Sequence, residues 1–176
     1  MTRTSILTIA VASTALAIAG TIHAQSYLDA SSKMRGDYGG SSANRAMSSA
    51  RGYSQDYRQY ASRVQKVDPE VAQDASDAIG SYITKAKKHF AWMRANATKA
   101  NDKETLTSLD EIDKNLAAAE KGHKDMHEMC TKENVDSAGS MKCCQQIDDS
   151  LANAISDHDK LMKKLGMANP ASPTKK

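Results

Sequence analysis

What this 176-residue chain has little of narrows the field first. It holds one phenylalanine, one tryptophan and three prolines. A β-sandwich or barrel takes many aromatic or β-branched strand residues and many turns, so that class is excluded. Three cysteines are too few for a miniature scaffold held together by disulfides. Charge of one sign is also scarce: 24 basic and 21 acidic side chains leave a net +3. That falls short of the clustered basic face that phosphate backbones require, which argues against a nucleic-acid partner. A mean hydropathy of −0.59 is too polar for an integral membrane protein. No glycine-rich phosphate loop is present, and no serine, histidine and acid set stands in a recognisable context, so no enzyme is expected.

What is there begins with an address. Residues 1–24 read as a cleaved secretory signal peptide: Arg3 is the only charge of a short n-region, Ile6 to Gly20 is apolar or small, and Ile22, His23 and Ala24 end on a small residue. The apolar run is shorter than the ~20 residues of a membrane-spanning helix, so no membrane association is expected after cleavage. The mature chain is expected to be exported, periplasmic or secreted, in a compartment where disulfides are permitted. Residues 25–40 mix Ser, Gly, Asp and Tyr without a period and read as a flexible leader, with Ser41 and Ser42 able to cap the first helix of the mature chain.

From there the period is helical. Ala46, Ala50, Tyr53, Tyr57, Tyr60, Val64 and Val67 step by fours and threes along one stripe. Asp68, Pro69 and Glu70 start a second helix as cap, first-turn proline and acidic first-turn residue. Its stripe runs through Ala72, Ala75, Ile79, Tyr82, Ala86, His89 and Met93, widened by Ile83, Phe90 and Ala97. Asn101 and Asp102 break and recap the chain. The third helix carries Leu109, Ile112, Leu116, Ala119, His123, Met126 and Cys130. Residues 134–140 read as a turn, and the fourth helix carries Cys144, Ile147, Leu151, Ala154, His158, Leu161 and Leu165 before Gly166. Short connections make neighbours antiparallel, so the expected fold is all-α: an up-down-up-down four-helix bundle over residues 41–167, with a polar tail at 168–176. Its seams are rich in alanine, and each Ala in place of Leu forgoes about 2 kcal/mol or more of core stabilisation.

Chemistry enters where polar residues interrupt the seams. Folding the third and fourth helices back on each other places His127 across from Cys144, Cys130 across from Met141, and His123 across from Asp148. His123 and His127 are four apart, so both imidazoles leave nearly one helix face, and Cys130 stands three residues later. With Cys144 from the opposing helix, two imidazoles and two thiolates make a tetrahedral set for zinc. Met126 and Met129 nearby add soft donors that suit copper, especially copper(I). The expected function is therefore an exported bundle that binds copper or zinc for sequestration or handling, its metal ligands His123, His127, Cys130 and Cys144 with Met126 and Met129 as auxiliaries.

Two other readings stand beside it. Cys130 paired with Cys143 or Cys144 would staple the hairpin, closing a loop of about 14 residues worth nearly 3 kcal/mol. The chain would then be a structural or adaptor bundle that recognises a protein partner through a helix groove. The other is a second site: His89 and His158 fall near one level on diagonal helices, with Met47 close by, as in non-covalent haem ligation. Glu120 and His123 form one Glu-x-x-His, but Ile155 precedes His158 at that spacing, which argues against a di-iron bundle.

Overall fold

The structure, a computed structural model, describes residues 38–131 and 135–167. The expected signal peptide at 1–24, the expected leader at 25–40 as far as residue 37, and the expected tail at 168–176 lie outside the described residues. Among those described there are four α-helices and no strand. They are α1 (residues 38–61), α2 (Pro69–Lys99), α3 (Lys103–Cys130) and α4 (Ser137–Lys164). No described helix is long and apolar enough to cross a membrane.

The punctuation read from the sequence is physically made. Asp68 caps α2 by accepting from the Glu70 amide at 2.8 Å, with Pro69 in the first turn. Asp102 caps α3, accepting from both the amide and the hydroxyl of Thr105, and these bonds hold its carboxyl below the usual pKa. Between them Asn101 takes a φ of 52°, a left-handed conformation that Asn tolerates better than most residues. Gly166 at φ 63° ends α4 in the same region, where its missing Cβ removes the penalty. Two boundaries differ from expectation. α1 has already begun at Tyr38, inside the expected leader, and α4 begins at Ser137, inside the expected turn. Asp136 makes the second difference, because its carboxylate accepts from the Ala138 amide at 3.1 Å and starts the helix three residues before Ser140.

Cross-helix contacts define the topology. Along α3 and α4, Glu104 meets Lys164, Asn115 meets Asp157 and Met126 meets Cys144, an antiparallel run close to the expected register. Along α2 and α3, Lys87 meets Glu120 and Arg94 meets Asp110 and Asp113. Asn44 meets Asp159, Arg51 meets Asp148, and Ser137 reaches the Ala61 carbonyl, so α4 also runs antiparallel to α1. Tyr53 stacks on Tyr82 with centroids 5.8 Å apart, which sets α1 beside α2. Helices therefore close a ring in chain order, up-down-up-down.

The core buries Met47, Ile79, Ile83, Phe90, Leu109, Leu116, Ile147 and Leu151 with many alanines between them. On α2 the inner stripe is Ser76, Ile79, Ile83, Phe90 and Met93, while His89 is only half-buried. On α1 Tyr53 is 46 % exposed and its neighbour Ser54 is buried in its place. Both corrections have one cause. A 3.6-residue helix crossing its neighbours at an angle rotates its buried face, and alanine-rich stripes leave the period ambiguous by one position.

Candidate metal centre

The last turns of α3 and the first turns of α4 bring sulfur together at one end of the core. Cys144 is fully buried and its thiol donates to the Met126 thioether at 3.6 Å. Cys130 is 3 % exposed and lies against the Tyr57 hydroxyl, which itself donates to Ser140 at 3.2 Å. Ser54 donates to the Cys144 carbonyl at 2.9 Å and flanks its thiol. Burial dominates the titration of all three groups: it pushes the Cys130 thiol up to about 11, the Cys144 thiol up to about 12 and the Tyr57 phenol up to about 12. Cys143, one residue along, is also buried and shifted upward, mainly by desolvation. All three cysteines are free thiols, so the disulfide expected as an alternative between Cys130 and Cys143 or Cys144 is not formed in the structure.

The imidazoles face elsewhere. His123 Nε2 donates to the Ser76 carbonyl at 2.9 Å, and the Ser76 hydroxyl lies 3.3 Å from His127 Nδ1. Both rings thus turn toward α2, with centroids 6.1 Å apart. Gly80 permits this, since a Cβ there would stand 2.5 Å from His123 Cε1. Half-burial lowers the His123 pKa, with the neighbouring His127 adding to the effect against the pull of the Ser76 carbonyl. Among the described residues no group of three or more His, Cys, Asp and Glu stands together as a metal site. The four-donor set of His123, His127, Cys130 and Cys144 is therefore not assembled. Seven residues separate His123 from Cys130, about 10 Å along the axis, so a shared face does not mean a shared level. Nor does His123 oppose Asp148, which instead binds Arg51 and Gln55 on α1. Met129 and Met141 are half-buried and pack against the core.

At the other end, His158 is 1 % exposed and packs edge-on against Phe90, centroids 5.7 Å apart. Phe90, and not His89, is thus the α2 side chain on His158, and the expected His89–His158 pair across the core is not formed. Met47 is fully buried in the same core. Two side chains of these sites carry little signal in the sequence: Ser76 stands only near an apolar stripe, and Met162 is visible only as the position four after His158. Tyr57 is legible as a stripe residue, and its contact with Cys130 is not.

Comparison with profiles of known families, with curated proteins and with solved structures returned no match.

Proposed function

We propose that this chain is an exported helical bundle that holds a soft transition-metal ion, copper(I) in preference to zinc, for sequestration or transfer without catalytic turnover. One observation carries the reading: a thiol and a thioether from facing helices, Cys144 and Met126, in contact at 3.6 Å within the core, with the Cys130 thiol against Tyr57 beside them. Two thiolates and a thioether form a donor set for copper(I). Zinc is less well served, because it calls for four convergent nitrogen, sulfur or oxygen donors and both histidines are turned to Ser76. The thiols are protonated in the folded protein and would bind as thiolates, so loading releases protons and affinity falls as pH falls. Free thiols in an oxidising compartment are themselves a reason for a bound ion.

The test is a copper(I) titration of the reduced chain against a colorimetric chelator, from pH 7.5 to 5. Binding that weakens toward low pH and is lost in Cys144→Ala and reduced in Met126→Leu supports the reading. Undiminished binding in both variants sinks it.

A second reading has its own observation. Tyr53, Tyr57, Tyr60, Val71 and Ala75 line a largely apolar groove of about 380 Å³ between α1 and the start of α2, with Asp56 and Asp74 at its edge. Aromatic faces beside two carboxylates suit a partner segment that carries a Lys or Arg. An Asp56→Asn/Asp74→Asn variant that bound the same partners as the parent chain would count against it.

A further inference from the structure

His158 is the one described side chain with a buried polar atom left unpartnered, its Nε2. Everything around the other nitrogen is arranged. Nδ1 lies 3.5 Å from Asp159 Oδ1 and 3.4 Å from Asn44 Nδ2, and Asn44 in turn donates to that carboxylate oxygen at 3.1 Å. Asn44 Nδ2 can only donate, so Nδ1 either accepts from it or, when protonated, serves Asp159. With the proton on Nδ1 a lone pair stands on Nε2, the tautomer that carboxylates favour in metal-binding imidazoles. The opposite tautomer points an N–H at the Gly40 backbone, which favours the proton there against burial but does not meet it in normal hydrogen-bond geometry.

Met162 stands four residues on, buried on the same face of α4. A Cβ placed on Gly40 would lie 3.4 Å from His158 Nε2 and 2.6 Å from Met162 Sδ. The two donors are thus no farther apart than those lengths together, and the Met162 methyl, 2.5 Å from the same point, fills the space that the absent Gly40 side chain leaves. A thioether and an imidazole lone pair are soft and borderline donors with no charge of their own, which excludes calcium and magnesium and favours a monovalent d¹⁰ ion that accepts two ligands.

We propose that His158 Nε2 and Met162 Sδ form a second soft-cation site, for copper(I), at the end of the bundle opposite the cysteines. The Met162 methyl rotates aside to admit the ion, and Asp159 through Nδ1 supplies the compensating negative charge. Met47, three residues along α1 from Asn44, adds a buried thioether to that core.

The site is independent of the cysteine cluster, and the experiment separates the two. Copper(I) bound per reduced full-length chain is counted by chelator competition in the parent, in Met162→Leu, in Cys130→Ala/Cys143→Ala/Cys144→Ala, and in the combination. Leucine keeps the volume of methionine, so a circular dichroism spectrum like the parent's is expected of Met162→Leu. The expected result is one equivalent fewer in Met162→Leu than in the parent, and one equivalent retained in the cysteine-free chain but absent from the combination. Should the cysteine-free chain fail to fold, the parent and Met162→Leu decide alone. Equal copper in those two overturns the site. A parent that binds a single ion, lost in Met162→Leu, upholds this site and removes the cysteine one.

Discussion

Arg51 of α1 and Asp148 of α4 meet with Nε and Oδ1 2.5 Å apart, and Gln55 donates to the same oxygen at 2.8 Å. The two ends of this pair are unequally placed. The Asp148 side chain is 10 % exposed and that of Arg51 is 40 % exposed. Removing the arginine strands a nearly buried carboxylate, whereas removing the carboxylate's charge leaves a guanidinium that water can serve. Arg51→Met is therefore expected to cost about 1–3 kcal/mol and Asp148→Asn less, with the double variant recovering part of the loss. Urea unfolding of the four proteins measures this; equal single losses that simply add would reject it.

Thiol chemistry checks the sulfur cluster directly. The folded chain, with all three cysteines buried and the Cys130 and Cys144 thiols pushed up to about 11 and about 12, is expected to react slowly with an aromatic disulfide reagent at pH 8. Denaturant should release three reactive thiols in a rapid phase. A single thiol in the denatured, unreduced protein would instead establish a disulfide.

Acid should loosen the bundle through its histidines. Burial lowers the folded-state pKa of His158 and of His123 below the ordinary 6.5. The unfolded chain then takes up protons first. Their contribution is whole above pH 6.5 and declines as pH falls through 6.5 toward the folded values. Urea midpoints should drop between pH 7.5 and 5.5, and His158→Gln should drop less steeply although it starts lower. A parallel decline in the two proteins would assign the acid sensitivity to other groups.

Two helical glycines should respond oppositely to alanine. A Cβ on Gly52 meets nothing within 4 Å, so Gly52→Ala is expected to stabilise α1 by about 0.5–1 kcal/mol. On Gly122 it would stand 3.1 Å from Cγ1 of buried Ile147 and 3.4 Å from the Cys143 carbonyl. There the close approach of α3 to α4 is expected to cancel the helical gain. Thermal melting of both variants tests this, and an equal rise would show that the interface can yield.

Much of the fold was legible because its signals are local. Asp68 with Pro69, Asp102 with Glu104, and Gly166 act on the backbone within a few residues, and the caps form as the sequence implies. Even the pairing of α3 with α4 came from one turn, since a short connection leaves little freedom of register. The α2 stripe was harder: His89 and Phe90 are adjacent and both stripes fit the period, so only packing chose Phe90 for the core.

The site was legible as an inventory and not as an arrangement. His123, His127 and Cys130 share a helix face by spacing alone, yet the rings go to Ser76 on α2 while the thiol goes to Tyr57 on α1. Which way a side chain turns depends on what the neighbouring helix leaves open, here the missing side chain of Gly80.

By itself, then, the sequence determined an all-helical chain, its caps and turns, and the gathering of sulfur at one hairpin, because these come from backbone preferences and periodicity over a few residues. Only the tertiary structure decided that Cys144 meets Met126, that the histidines stand apart from the thiols, and that His158 is left with an unpartnered nitrogen near Met162. Those outcomes turn on the rotation and level of whole helices, which long-range packing sets and local sequence does not encode.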